Sequence, residues 1–186
     1  MKKILGILSF IVRIFFIFIL FYYALIMWQL TAITSVSKYG NVINLRWLRP
    51  DLIGHFPDRV PLDAQEKRFY YRAGFLQGGS SIELKIRMPE EFVREVRATY
   101  ISQAKSVFNG AENLKRGSDG PDVPPKWNFF TFSSDRNETT VESQHLPQDF
   151  EILLLSPYPS NLNHGETSGI GISQKRGEII YWAEDW

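Results

Sequence analysis

The segment Gly78-Gly-Ser-Ser-Ile-Glu-Leu-Lys-Ile-Arg-Met88 passes from two glycines into a strict alternation of apolar and charged residues. The apolar positions are Ile82, Leu84, Ile86 and Met88, and the charged positions between them are Glu83, Lys85 and Arg87. Successive side chains of a β-strand point to opposite faces, so a period of two predicts a strand with one buried face.

An aromatic segment on the other side of the glycines completes a hairpin. Phe69-Tyr-Tyr-Arg72 is rich in residues that favour strands. Glycine reaches the positive φ values that tight hairpin turns require, so the chain is predicted to turn at Gly78-Gly79. The same glycines superficially resemble a phosphate-binding loop, but such a loop leads into a helix, whereas a strand follows here.

A helix is predicted directly after this hairpin. Pro89 suits the first helical turn, and the two glutamates that follow it complement the positive end of the helix dipole. Apolar residues then recur at three- and four-residue intervals from Phe92 to Phe108, and Asn109-Gly110 is a stop signal. The pattern predicts one main helix that ends near Phe108 and packs on the sheet.

The remaining strand signals determine the fold class. Positions 127–132 and 150–155 are each predicted to be strands, and positions 169–173 and 178–182 are predicted to form a hairpin with its turn at 174–177. Five or more strands beside one well-formed helix predict an α+β fold, in which a mostly antiparallel sheet packs against that helix.

The N-terminus carries an uncharged, mainly apolar run. Positions 14–37 contain no charged residue, and as a helix they would extend about 36 Å, more than a hydrocarbon core of about 30 Å. Signal peptides have shorter apolar regions, which favours a retained transmembrane helix, although the small residues at 31–37 leave cleavage as the alternative. The membrane-spanning residues would include Ile14, Phe18, Phe21, Leu25 and Trp28.

The topology follows from the charges that flank this run. Three Lys or Arg residues lie before it and three follow soon after it, so the positive-inside rule decides little. The short, positively charged N-terminus favours a single-pass protein with its C-terminal domain outside the cytoplasm. Three parts are expected: the N-terminal segment and transmembrane helix at 1–37, a juxtamembrane arm at 38–65, and a single α+β domain at 66–186. The apolar residues of the arm either dock on the domain or lie against the membrane surface.

Composition excludes several classes of function. All 20 Asp and Glu residues follow position 50, whereas three of the 21 Lys and Arg residues precede position 14, so the folded part is slightly acidic. A nucleic-acid surface needs a basic excess, and none is present. The chain has no cysteine, which excludes disulfides, thiolate nucleophiles and cysteine zinc sites.

Two short segments carry candidate catalytic groups. His55-Phe-Pro-Asp58 offers an imidazole and a carboxylate that could act as an acid–base pair, and the alternative is a structural histidine that hydrogen-bonds the backbone. His164 and Glu166 offer a second pair, and the alternative is a turn whose residues serve the backbone. A zinc site built from His55, His145 and His164 is not favoured, so no metal and no cofactor are expected.

Aromatic pairs suggest a binding surface. The two members of Tyr70-Tyr71, and of Tyr181-Trp182, cannot face the same side of a strand. One member of each pair therefore points away from the helix, where another element covers it, the membrane packs on it, or a ligand or partner binds it. The candidate binding residues are Tyr71, Trp182 and Trp186.

The favoured function is a membrane-anchored domain that binds a ligand or a partner protein without catalysis. One alternative is a membrane-anchored hydrolase-type enzyme that uses His55 and His164 with nearby carboxylates, which predicts that His164 and another titratable group share one cleft. The other is a small accessory subunit of a membrane complex. The expected partners are the lipid bilayer and a partner protein or membrane complex, and nucleic acid is not expected.

Overall fold

The computed structural model describes residues 12–24, 32–44, 50–74, 79–110, 146–156 and 165–185. The chain divides into two compact units, Met1–Ala32 and Ile33–Trp186, and the boundaries predicted at 37 and 65 stay predictions. Several predicted features lie outside the described residues: Leu25, Trp28, the strand at 127–132, His145, His164 and Trp186.

The first unit contains helix α1, at residues 12–24. Its apolar and aromatic side chains are open to the surroundings, and eight of them are 61–67% exposed: Phe15, Phe16, Ile17, Phe18, Leu20, Phe21, Tyr22 and Tyr23. Ile14, Phe18 and Phe21 of the predicted span lie in this helix. Within the described ranges, no helix combines the length and the apolar character that crossing a membrane requires.

The second unit is an α+β fold built on a six-stranded antiparallel sheet. The strands are β1 (Lys67–Arg72), β2 (Ser80–Arg87), β3 (Ser106–Asn109), β4 (Glu151–Leu154), β5 (Glu166–Ser173) and β6 (Glu178–Asp185). Their order is β1-β2-β6-β5-β4-β3, and each neighbouring pair is antiparallel. The helical elements are a 3₁₀ turn (Val36–Lys38), α2 (Tyr39–Ile43), α3 (Pro50–Ile53) and α4 (Glu90–Ile101). The predicted α+β class with an antiparallel sheet is confirmed.

The strand pairs of both predicted hairpins are present, and the first turn, predicted at Gly78-Gly79, stays a prediction because Gly78 lies outside the described residues. β1 and β2 pair with Phe69 opposite Leu84, and β5 and β6 pair with Ile172 opposite Ile179. At the second turn Gly177 has a φ of 67°, a value that side chains with a Cβ rarely adopt, and its N–H donates to the backbone oxygen of Gln174 at 3.3 Å. Glycine is therefore required at that position of the turn.

Helix α4 ends earlier than the sequence pattern predicts. It stops at Ile101, and the residues expected to form its last turns are strand β3. The N–H of Lys105 donates to the backbone oxygen of Leu154 at 2.7 Å, and the N–H of Gly110 donates to that of Phe150 at 2.8 Å. The helix prediction was wrong here because Ser106–Asn109, with a β-branched and an aromatic residue at its centre, pairs with a distant strand.

The central strands of the sheet, β2, β5 and β6, are buried on both faces, which corrects the prediction that β2 has one buried face. Leu84 and Ile86 lie in the core beneath the helices, yet Glu83 and Lys85 on the opposite face are only 1% and 7% exposed. Lys85 Nζ lies 3.2 Å from Glu178 Oε1, which also accepts from Arg87 Nη2 at 3.0 Å. Burial lowers the pKa of Lys85, and the Glu178 carboxylate opposes that shift. A charged residue can be buried when it is paired in this way.

The arm packs on the sheet. Its buried apolar residues belong to the same core as the helix-covered face: Tyr39, Val42, Leu52, Ile53, Phe56 and Ala64. The hydroxyl of Tyr39 donates to the backbone oxygen of Pro57. Ahead of the arm, Ile33 exchanges two backbone hydrogen bonds with Tyr71, at 2.7 and 2.9 Å. The described residues of the arm therefore dock on the domain, which is the first of the two predicted alternatives.

Candidate functional site

A cavity of about 470 Å³ opens where the arm, helix α4 and the start of β5 meet. Its wall comes from four separate stretches of chain: residues 51–55, the end of α4, residues 155–156 and residues 166–168. Most of its lining residues are polar. Cavities of this volume are typical of small-molecule sites. A second cavity of about 450 Å³ lies along residues 107–109 and 148–151, and the first is the candidate functional site because the predicted candidates His55 and Glu166 line it.

Helix α4 supplies one wall because its apolar stripe faces the sheet. Val93 is fully buried, and Val96, Tyr100 and Ile101 pack against the same core. Thr99 in the last turn of α4 and Gln103, two residues beyond its end, both line the cavity. The Thr99 hydroxyl donates to the backbone oxygen of Glu95 at 2.9 Å, and the Gln103 amide donates to that of Thr99 at 3.0 Å.

His55 forms part of the floor and is held by the backbone. It is 8% exposed, and Nε2–H donates to the backbone oxygen of Trp182 at 3.1 Å. Its own backbone oxygen accepts from the Tyr100 hydroxyl at 3.2 Å. Burial lowers the pKa of His55 to about 4, against the opposing influence of the Trp182 and Gly169 carbonyl groups. The imidazole is therefore neutral at pH 7.

The structure brings some of the predicted catalytic candidates together and separates others. His55 and Glu166 both line the cavity. Asp58 is exposed and is not among the lining residues, and its pairing with His55 stays a prediction. Asp51 also lines the cavity and was missed, because the sequence shows it only as an acidic residue in the first turn of α3. The sequence around Asp51 does not distinguish a residue that lines a cavity from one that only stabilises the start of a helix.

Two of the three predicted aromatic binding residues, Tyr71 and Trp182, lie inside the domain, and Trp186 lies outside the described residues. Tyr71 is 4% exposed in the helix-covered core. Trp182 is 1% exposed on the other face of the sheet, in a second cluster with Leu146, Phe150 and Ile152. Trp182 points away from the helices as expected, and apolar side chains cover it. A ligand reaches neither side chain in this conformation, so the cavity is the better candidate for binding.

Comparison with known proteins gives no family for this chain: no family model, curated protein or solved structure matches it. In the part of the chain that the structure describes, no group of three or more His, Asp or Glu side chains could hold a metal ion. Function is therefore inferred from the geometry of the cavity and from the character of helix α1.

Proposed function

We propose that this protein is a membrane-anchored, non-catalytic binding protein that takes a small polar ligand into the cavity beside His55. The observation that carries the proposal is the polar cavity of about 470 Å³ whose histidine is fixed to the Trp182 backbone oxygen and kept neutral by burial. Such a wall can position a ligand through hydrogen bonds. A group with so low a pKa is a weak proton acceptor near neutral pH.

The anchor is proposed from helix α1 and the residues around it. The side chains of α1 leave a large apolar surface exposed, and the uncharged run extends from position 14 to position 37. Exposed apolar surface of this kind marks a membrane or partner site. The run is not helical throughout, because Ile33 pairs with Tyr71 and Val36–Lys38 is a 3₁₀ turn. A helix over positions 14–31 would extend about 27 Å, close to a hydrocarbon core of about 30 Å. The short basic N-terminus would then face the cytoplasm, with the second unit on the other side.

Two arginines in α1 should release the protein from membranes. The wild-type chain is expected to stay in the membrane pellet after an alkaline carbonate wash, and the Phe18→Arg/Phe21→Arg variant is expected in the supernatant. Each arginine costs about 3 kcal/mol at the centre of a spanning helix. Leu62→Arg is the control, since Leu62 is 94% exposed in the second unit and its replacement should leave the protein in the pellet.

Protease treatment of sealed vesicles of known sidedness tests the orientation in the same preparation. The second unit should be protected until detergent opens the membrane. Extraction of the wild-type chain by carbonate would contradict the anchor. A mature chain that starts near Ser35 would show that the apolar run is a signal peptide.

Filling the cavity should abolish ligand binding. Thr99 is exposed on α4 and lines the cavity, so Thr99→Trp adds bulk at the site without replacing a core residue. Fragments are screened against the full chain in mild detergent by saturation-transfer NMR. Those that bind the cavity are expected to lose their signal in Thr99→Trp and to keep it in Ala98→Trp, an exposed neighbour that does not line the cavity. If no bound fragment is sensitive to Thr99→Trp, the binding proposal fails.

A hydrolase-type enzyme is the second candidate because His55 and Glu166 line the same cavity. That function would require His55 to exchange a proton with substrate, although its Nε2 is bonded to a backbone oxygen. An esterase or phosphatase activity lost in His55→Gln and kept in Asp58→Asn would favour the enzyme. Absence of such a difference, together with fragment binding, favours the binding protein.

A further inference from the structure

We propose that Nδ1 of His55 is the atom of the cavity that selects the ligand, and that it selects a ligand with a hydroxyl or an amide N–H donor. The proposal rests on the binding function proposed above and names the class of its ligand. Its basis is the tautomer of His55, which the backbone of β6 sets, together with the position of the ring at the cavity.

The hydrogen bond to Trp182 determines which nitrogen of His55 carries the proton. A backbone carbonyl oxygen only accepts, so Nε2, which lies 3.1 Å from the Trp182 oxygen, is the N–H nitrogen. A neutral imidazole has one N–H, and burial keeps this ring neutral at pH 7 by lowering its pKa to about 4. Nδ1 therefore carries a lone pair and can only accept a hydrogen bond.

The imidazole is held in this orientation by its surroundings. The backbone oxygen of His55 accepts from the Tyr100 hydroxyl at 3.2 Å, and the ring centroid lies 4.7 Å from that of Phe56. Turning the ring over would place a C–H opposite the Trp182 oxygen and lose the hydrogen bond of Nε2. Nδ1 is therefore a preorganised acceptor, and a ligand that bonds to it pays little for ordering the site.

Nδ1 is open to the cavity. In the part of the chain that the structure describes, Nδ1 makes no hydrogen bond, and it is not one of the enclosed side-chain atoms that lack one. The Gly169 carbonyl near the ring only accepts, so it is no partner for a lone pair. An atom that is neither bonded nor enclosed reaches open space, and the space that His55 lines is the cavity. The residue as a whole is only 8% exposed, so Nδ1 is a small polar point on a largely buried ring.

The character of this acceptor determines the class of donor. A nitrogen with so low a pKa leaves the proton on the ligand, so the contact is a hydrogen bond rather than a proton transfer. His55 supplies no charge that would offset the dehydration of an ammonium group, which favours a neutral O–H or N–H donor. A ligand of the same shape without a donor would cover Nδ1 and leave it unbonded, at a cost of about tenfold or more in affinity.

The ligand-free protein gives the first test. The full chain is labelled with nitrogen-15 at histidine and studied in mild detergent at pH 7.5 by two-bond proton–nitrogen correlation, which distinguishes a protonated ring nitrogen from one with a lone pair. His55→Gln identifies the signals of His55 because it removes them. Nε2 is expected to carry the proton, and a proton on Nδ1 would overturn the proposal.

Two pairs of probes differ only in the methylation of one donor: N-methylacetamide with N,N-dimethylacetamide, and 2-methoxyethanol with 1,2-dimethoxyethane. Their dissociation constants are measured by NMR titration of the same sample. The donor in each pair is expected to bind at least about tenfold more tightly than its methylated partner, because the partner leaves Nδ1 unbonded. Only the donor should shift the Nδ1 resonance of His55.

His55→Phe locates the preference on the ring nitrogen. The two members of each pair should bind this variant equally, since phenylalanine keeps a ring and has no lone pair. Asp58→Asn is the control, because Asp58 is an exposed neighbour that does not line the cavity, and it should keep the preference of the wild type. If His55→Phe does not fold, the shift of the Nδ1 resonance in the wild type decides.

The outcomes separate this proposal from the binding function on which it rests. Equal affinity within each pair, with both members lost in Thr99→Trp, would overturn the role of Nδ1 and keep the binding function. Tighter binding of the methylated members, or a preference for donors without a shift of the Nδ1 resonance, would do the same.

The fragment screen decides if none of the four probes binds. Fragments that Thr99→Trp displaces support the proposal if all of them carry a hydroxyl or an amide N–H, and a displaced fragment with neither group overturns it. If no fragment is displaced, both proposals fail together.

Discussion

Gly169→Ala is expected to lower the free energy of unfolding by about 3 kcal/mol or more, or to prevent folding. A Cβ at this position would lie 2.4 Å from the backbone oxygen of Leu153 and 2.4 Å from Cη2 of Trp182. Neither group can move easily, because one belongs to the neighbouring strand β4 and the other is an indole that is 1% exposed. Urea unfolding of the full chain in mild detergent, followed by tryptophan fluorescence, measures the effect.

Gly40→Ala is the matched control for that variant. A Cβ at Gly40 would have no atom within 4 Å, and the residue lies inside helix α2. Alanine has the higher helix propensity, so this variant is expected to gain about 0.5 to 1 kcal/mol. If Gly169→Ala proved as stable as the wild type, the close approach of Gly169 to the Trp182 side chain and to the backbone of β4 would be incorrect.

Acid should weaken the fold through His55. The folded-state pKa is about 4 and the ordinary value is 6.5, so the unfolded chain binds more protons between these values. The contribution of the neutral, buried His55 to the free energy of unfolding is complete above pH 6.5 and is lost as the pH falls toward 4. Between pH 7.5 and 4.5 the loss is about 2 to 3 kcal/mol. His55→Gln keeps an N–H for the Trp182 backbone oxygen and does not titrate, so it should lack this loss.

Glu184 should act with the opposite sign, and it therefore has to be measured beside His55. Burial raises its pKa to about 7 from 4.5, while Arg72 and the Ser81 hydroxyl oppose that shift. A raised carboxyl pKa means that its contribution is complete below pH 4.5 and is lost as the pH rises through 7. The two effects partly cancel in the wild type.

The informative quantity is accordingly the difference in unfolding free energy between the wild type and each variant, measured by urea titration from pH 4.5 to 7.5. Relative to His55→Gln, the wild type should lose stability toward acid. Relative to Glu184→Gln, it should lose stability toward neutral pH. If the difference in unfolding free energy between the wild type and His55→Gln did not change with pH, the histidine would not be buried as described. The same conclusion would follow if that difference changed with pH in the same direction as the difference between the wild type and Glu184→Gln.

Local pattern was sufficient for the strand pairs of the two hairpins and for the turn that ends at Gly177. The alternation after Gly79 and the glycine at position 177 predicted both hairpins, because strand periodicity and positive φ are properties of short segments. The end of α4 could not be predicted in the same way. Val107 and Phe108 fit a helical spacing as well as a strand, and only the presence of β4 beside them decides between the two.

The candidate site was predictable only in part. His55 and Glu166 were singled out from their residue types, and the structure places both at one cavity. Asp51, Thr99 and Gln103 were missed, because acidic residues in a first helical turn and polar residues in or just after a last turn are common wherever a helix meets solvent. The binding role predicted for Trp182 rests on the alternation that turns one of Tyr181 and Trp182 away from the helix, and alternation does not show what covers that second face.

The sequence by itself determined the fold class, the two hairpins and the apolar N-terminal run, since each depends on the spacing of apolar residues or on turn chemistry within about 20 residues. Tertiary structure alone decided that both faces of the central strands β2, β5 and β6 are buried and that a polar cavity forms beside His55. The bond from His55 to the backbone oxygen of Trp182 joins residues 127 positions apart. Burial and site assembly depend on such distant pairings, and periodicity along the chain carries no information about which distant segment will supply the partner.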